Sequence, residues 1–241
     1  MWAALAWGTV ASASLILGGV VALAAPVSQR TLGIVMAFGS GVLISALAFE
    51  LVEDALDVTD GPLIVAGGLL AGSLLYAAGN RALGTHVRHR KRSGGQQADA
   101  SGPGIVLGIV LDGIPESLVL GLTILETGAV SVAFLVAVFL SNLPEAVAAT
   151  TGLRASGWQP RRIIGLWCLV AAVSGLAAMA GFALFDSAGT GAVAFVLAFA
   201  AGAILTMLAD TMMPEAFEHA GDVVGVVTTL GFCLAIAISS L

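Results

Sequence analysis

All nine lysines and arginines of this chain lie at the ends of long apolar runs or between them, and only in every second gap. Arg30 falls in the first gap. Arg81, Arg88, Arg90, Lys91 and Arg92 close the third run or follow it, and Arg154, Arg161 and Arg162 surround the fifth gap. An apolar run of about 20 residues is long enough to cross a bilayer as a helix, and Lys and Arg collect in the connections that remain cytoplasmic. The runs are about 2–25, 31–55, 62–83, 103–125, 128–152, 161–185, 190–215 and 219–241. Eight crossings place every base on one side. They place Glu53, Asp54, Asp57, Asp60, Glu126 and Asp186 on the other. Seven or nine crossings would mix the two sets. The expected protein is therefore integral to a plasma or bacterial inner membrane, with both termini outside and the basic loops in the cytoplasm.

Composition agrees with this reading. Of 241 residues, 59% are hydrophobic and 10% charged, more apolar surface than a soluble fold of this size encloses. The expectation is one all-α polytopic domain over 1–241, in contact with the lipid bilayer. Pro26, Gly61-Pro62, Gly157 and Gly189 punctuate the runs as helix breaks should. The polar stretch Gly84–Gly102 reads as a cytoplasmic loop. Residues 2–25 lack a basic leader and a cleavage site, so they read as a retained helix rather than a signal peptide. Cys168 and Cys233 form no motif and read as small packing residues. The net charge of −6 comes from dispersed acids and segregated bases, and no nucleic-acid partner is expected.

Two internal matches suggest how the runs are arranged. Ala37–Leu56 (AFGSGVLISALAFELVEDAL) aligns without gaps to Ala198–Phe217 (AFAAGAILTMLADTMMPEAF). The pair GIPESLVLG and NLPEAVAAT forms a second match. In an eight-span topology each pair runs in opposite directions. The expected arrangement is three helices, two central helices and three helices, related as an inverted repeat, as in alternating-access transporters.

The central pair carries the chemistry. Glu116 and Glu145 each follow a proline inside an apolar run. A carboxylate at the centre of a lipid-spanning helix costs about 2.5–3.5 kcal/mol on insertion scales and usually marks an ion or proton path. No Lys, Arg or His occurs between Arg92 and Arg154, so the compensating charge must be a proton or a metal cation. Proline frees the carbonyl four residues earlier: Leu111 for Pro115, Leu140 for Pro144. Such irregular backbone is tolerated at membrane depth where it lines a cavity. Asp112 shares a helical face with Glu116, and Ser141 with Glu145. Asn142 is one position off that face. Together these oxygens suit a divalent cation. The competing account makes Pro115 and Pro144 the first residues of two helices, where Pro-Glu caps a helix start.

Further acids lie on the repeated runs. Glu50, Glu53 and Asp54 sit near the outer end of the second helix, where they could collect cations. Asp210, Glu215, Glu218 and His219, with Asp222 beyond, sit near the inner end of the seventh, where they could release them. Glu50 and Asp210 read as the deeper members. Glu53, Asp54, Glu218 and Asp222 read equally well as solvated interface residues. His86 and His89, among five bases, read as solvated loop residues.

These residues resemble the ZIP (Zrt/Irt-like) metal transporters over nearly the whole chain. The family's fourth-helix motif, His-Asn-x-Pro-Glu-Gly, is similar to Asp112-Gly113-Ile114-Pro115-Glu116-Ser117. Its fifth-helix motif is similar to Ser141-Asn142-Leu143-Pro144-Glu145, and its Pro-Glu-Ala stretch to Pro214-Glu215-Ala216. The resemblance implies influx of zinc, manganese, iron(II) or a related ion as transported substrate, with no resident cofactor. It also implies central helices that move against a scaffold including helices two and seven, often within a homodimer. This chain departs from the family at Asp112, where histidine is usual, at Gly113, where asparagine is usual, and at Ser141. Gly113 and Asn142 stand where ligands of a second metal would be, so at most one central metal is expected. Carboxylate in place of imidazole favours manganese or iron(II) over zinc.

Three other functions are open to such a chain. One is a proton-coupled transporter or channel for another substrate, with the carboxylates as a relay. Another is a ZIP-like homologue that does not transport. An intramembrane enzyme needs a nucleophile and a base, and Ser141 has only Glu145 beside it, so no catalytic activity is expected.

Overall fold

The computed structural model describes residues 1–59, 61–88, 102–186 and 188–239; the side chains of 82–88, 102–112 and 126–127 lie outside that description. The described residues are helical or in short connections, with no strand. The helices are α1 (Trp2–Ala24), α2 (Gln29–Ala46), α3 (Glu53–Asp57), α4 (Pro62–Arg88), α5 (Gly102–Thr127), α6 (Val132–Ala155), α7 (Pro160–Phe185), α8 (Thr190–Met207), α9 (Met213–Ala220) and α10 (Val224–Ser239). A π-turn over Leu47–Val52 joins α2 to α3, and another over Leu208–Met212 joins α8 to α9.

Six described segments are long and apolar enough to cross a membrane: Trp2–Ala24, Gln29–Asp57, Pro62–Arg81, Val132–Ala155, Pro160–Phe185 and Thr190–Ser239. The outward surface is apolar as well. Leu63, Leu70, Leu74, Leu75, Leu169 and Leu184 are all more than half exposed, a coat that suits lipid rather than water. The chain is an all-α, membrane-embedded protein.

Local chemistry sets the helix limits. Ser28 caps α2 by accepting from the Thr31 N–H at 3.0 Å, and Ser131 caps α6 by accepting from the Phe134 N–H at 3.1 Å. Gly128 and Gly157, at φ +73° and +86°, end α5 and α6 in the left-handed conformation. Three limits differ from the sequence expectation. α6 starts at Val132 rather than near 128, because Gly128 turns the chain and Ser131 supplies the cap. α4 runs on through Arg88, five residues into the expected loop, while His89 and most of that loop lie outside the described residues. The last break falls at Gly221, φ +67°, rather than between 215 and 219; Pro214 sits in the first turn of α9 and does not end the helix.

The chain reverses at Gly221. α9 runs antiparallel to α2, since Gly33 lies against His219 and Gly39 against Met212. α10 runs parallel to α2, since Phe38 meets Gly231 and Glu50 meets Ser239. Thr190–Ser239 is thus two helical segments of opposite direction.

The most extensive interfaces pair α4 with α8, α1 with α7, α10 with α2, α1 with α6, and α5 with α7. Together with the packing of α9, the continuation of α8, on α2, they define two groups, α1/α5/α6/α7 and α2/α4/α8/α10, which meet mainly where α2 packs on α6. Within the first group, Trp167 donates its indole N–H to Thr150 Oγ1 at 2.9 Å, tying α7 to α6. Within the second, the two aligned segments make equivalent contacts. Gly41 lies on the Thr228 carbonyl of α10, and its alignment partner Gly202 on the Leu69 carbonyl of α4. The Phe38 carbonyl meets Gly231, and that of its partner Phe199 meets Gly72. The π-turns begin at Leu47 and Leu208, also alignment partners.

Candidate functional site

Both central helices continue through their prolines: Pro115 is inside α5 and Pro144 inside α6. The account in which Pro-Glu begins a helix is therefore excluded for both motifs. Glu116 is 2% exposed, Ser141 0% and Asn142 3%, while Glu145 is half-buried. A buried carboxylate on a proline-interrupted helix is what the sequence anticipates, and Glu116 has that burial.

Each proline removes one backbone donor from its helix. Pro144 leaves the Leu140 carbonyl without its helical donor, and that oxygen faces Gly39: a methyl group on Gly39 would stand 3.2 Å from it. The freed carbonyl thus lies at the junction of the two helix groups. On α5, Ser117 Oγ donates to the Gly113 carbonyl at 2.7 Å. Ser141 Oγ donates to the Val138 carbonyl at 3.0 Å, which spends its proton and leaves its lone pairs to accept or coordinate. Asp112 is a residue of α5 whose side chain lies outside the description. Among the described residues no group of three or more His, Cys, Asp and Glu side chains is placed so that it could hold a metal ion, the outer acids included. The described oxygen donors of the central set are those of Glu116, Glu145, Ser141 and Asn142.

The outer acids are brought together. Glu50, Glu53 and Asp54 line a cleft of about 420 Å³ with Phe49, Asp57, Ile236 and Ser239. Glu50 Oε1 accepts from Ser239 Oγ at 3.0 Å across the α2–α10 interface. Glu53 and Asp57 are exposed; Glu50 and Asp54 are half-buried.

The inner set is only partly gathered. His219 Nε2 and Glu215 Oε1 are 3.6 Å apart, one helical turn from each other on α9. Glu218 and Asp222 are exposed. Asp210 is exposed too, on the outward side of its π-turn. Cys168 and Cys233 are likewise exposed and do not fill the interior.

Sequence reasoning overlooked three polar residues. Asp57 completes the outer cleft and was legible as the residue four after Glu53. Ser239 reaches the cleft only through the pairing of α10 with α2, which nothing local announces. Ser174 of α7 is 1% exposed, and its hydroxyl lies 4.0 Å from where a methyl group on Gly113 would sit. It is a polar group facing the loosened turn of α5, and its signal was a single hydroxyl in a long apolar run. No family model matches this chain, and no curated protein matches it significantly.

Proposed function

We propose that the chain is a divalent-metal transporter that carries its ion toward the cytoplasm by alternating access through the Glu116–Glu145 region. The observation that carries this reading is the burial of Glu116, at 2% exposure, inside an apolar helix with a second Pro-Glu on the adjoining helix. No Lys, Arg or His lies between Arg92 and Arg154 to neutralise either carboxylate from its own helix. A cation that enters this region finds carboxylate, hydroxyl, amide and carbonyl oxygens, the donor set of a hard or borderline divalent ion. Asp112 would add a third carboxylate. With no imidazole or thiolate in the set, manganese or iron(II) is favoured relative to zinc.

The proposed architecture is eight spans in a 3+2+3 inverted repeat. Its support is the matched π-turns at Leu47 and Leu208 and the matched contacts of Gly41 and Gly202. In this scheme α1, α5, α6 and α7 move as a body that carries the ion. The group α2, α4, α8 and α10 serves as the scaffold, within a homodimer. The cleft at Glu50, Glu53, Asp54 and Asp57 collects the ion outside, and Glu215 and His219 receive it inside.

The test is flux into proteoliposomes. Uptake of manganese, iron(II) or zinc that depends on the protein supports the proposal. Proton flux without metal would assign the carboxylates to a relay for another substrate. Neither flux would make the chain a non-transporting homologue.

A further inference from the structure

The turn between α6 and α7 is a positive surface that metal transport does not use. Arg154 stands in the last turn of α6, and Arg161 and Arg162 in the first turn of α7; all three are exposed. Four residues, 156–159, separate the helices. They are held tightly: the Gly157 N–H donates to the Arg154 carbonyl at 2.9 Å and the Trp158 N–H to the Leu153 carbonyl at 3.0 Å. Trp158 packs its ring on the cluster of Leu15, Leu153, Ile163 and Trp167 that joins α1, α6 and α7. The Arg162 guanidinium lies over that ring, 4.2 Å from its centroid, which fixes the position of one cation.

Nothing in the turn balances this charge. No Asp or Glu occurs between Glu145 and Asp186, and none of the three arginines forms an ion pair among the described residues. Two of them crowd the positive end of the α7 dipole, which has no acid in its first turn and no side-chain cap from Gln159. A helix start with two cations and no anion is electrostatically incomplete.

We propose that this turn binds the phosphate headgroup of an anionic phospholipid from the adjoining leaflet. Guanidinium forks match phosphate oxygens in pairs, and a Trp ring belongs at headgroup depth, with its apolar body toward the acyl chains. Basic segments at a membrane surface attract anionic lipid by about a fivefold gain in affinity per Arg. A lipid fits better than free phosphate because the turn closes two apolar, bilayer-length helices and Trp158 stands beside the arginines. The bound lipid tethers α6, the helix that carries Glu145, to the leaflet. This binding is independent of whether the protein transports metal.

The experiment is native mass spectrometry of the purified chain titrated with phosphatidylglycerol and with phosphatidylcholine of the same acyl chains. The wild-type chain is expected to retain phosphatidylglycerol in preference. The R161Q/R162Q variant should bind it about 30-fold more weakly, while R30Q/R81Q, with the same change in net charge at other exposed arginines, keeps wild-type affinity. R154Q/R162Q provides a second variant with the same expected loss, in case the first does not insert. Equal weakening in R30Q/R81Q, or no preference for phosphatidylglycerol in the wild type, would overturn the proposal. So would displacement of the lipid by an equal concentration of inorganic phosphate, which would make the site a receptor for the free anion.

Discussion

Gly41 and Gly202 make the same contact on two different helices, each pressed against a backbone carbonyl: Thr228 of α10 for the first, Leu69 of α4 for the second. A carbonyl in a helix cannot swing aside as a side chain can, so any larger residue must separate the helices. Gly41→Leu and Gly202→Leu are each expected to destabilise the protein by about 1–3 kcal/mol or more, and by similar amounts. Gly67→Leu, where an added Cβ meets nothing within 4 Å, should not destabilise the protein. Thermal unfolding in detergent micelles measures all three. A large difference between the first two would mean that the helix pairs are not equivalent.

Glu116→Ala and Glu145→Ala are each expected to reduce metal uptake in proteoliposomes to the level of protein-free vesicles, with expression and insertion intact. Glu53→Gln combined with Asp57→Asn should act differently. Those residues are exposed in the outer cleft, so their loss should raise the KM and leave the maximal rate unchanged. Normal uptake by Glu116→Ala would remove the central assignment.

Asp112→His is expected to shift preference from manganese toward zinc, because an imidazole nitrogen is a softer ligand than a carboxylate oxygen. Glu116 and Glu145 should remain essential in that variant. Uptake by both proteins should fall as the medium is acidified, since ligands must lose their protons to bind metal. The ratio of manganese to zinc uptake, compared between the two proteins, is the measurement. An unchanged ratio would place selectivity elsewhere, with the Glu50 cleft the next candidate.

Orientation is tested by labelling introduced cysteines in sealed vesicles. Cys168 and Cys233 are exposed and must first be replaced. A cysteine in the stretch Gly84–Gly102 should then react only from the cytoplasmic face, and one at Asp60 only from outside. The reverse pattern would invert the proposed direction of transport.

Much of this molecule was legible because membrane helices announce themselves through long apolar runs and their punctuation. The limits of α1, α7 and α8 fall within two residues of expectation at their starts, where Pro160 and Gly189 mark the chain. The Gly221 break was placed a few residues early because the polar residues Glu215, Glu218 and His219 end the apolar run before the helix itself ends. The prolines of α5 and α6 were legible as internal, because the apolar residues before them need a helix of their own. The π-turns were not legible. A surplus residue leaves the apolar composition intact, and in a helix buried by lipid as well as protein no amphipathic stripe exists to betray the shift. For the same reason the sequence could not tell that Asp210 faces outward: depth along a helix is written in the sequence, but direction around it is written in the packing.

The matched π-turns also bear on history. A π-turn holds one more residue than an α-turn, and the simplest way for a helix to gain one is a single-codon insertion. Continued as plain α-helix, such an insertion would rotate everything beyond it by about 100°; taken up as a π-turn, it leaves the flanking helix nearly in register. Two independent insertions at Leu47 and Leu208, alignment partners in a gapless match, require the same accident to be accepted twice. One insertion in an ancestral segment, copied when that segment was duplicated, requires it once. On the proposed repeat, a single insertion accounts for both π-turns.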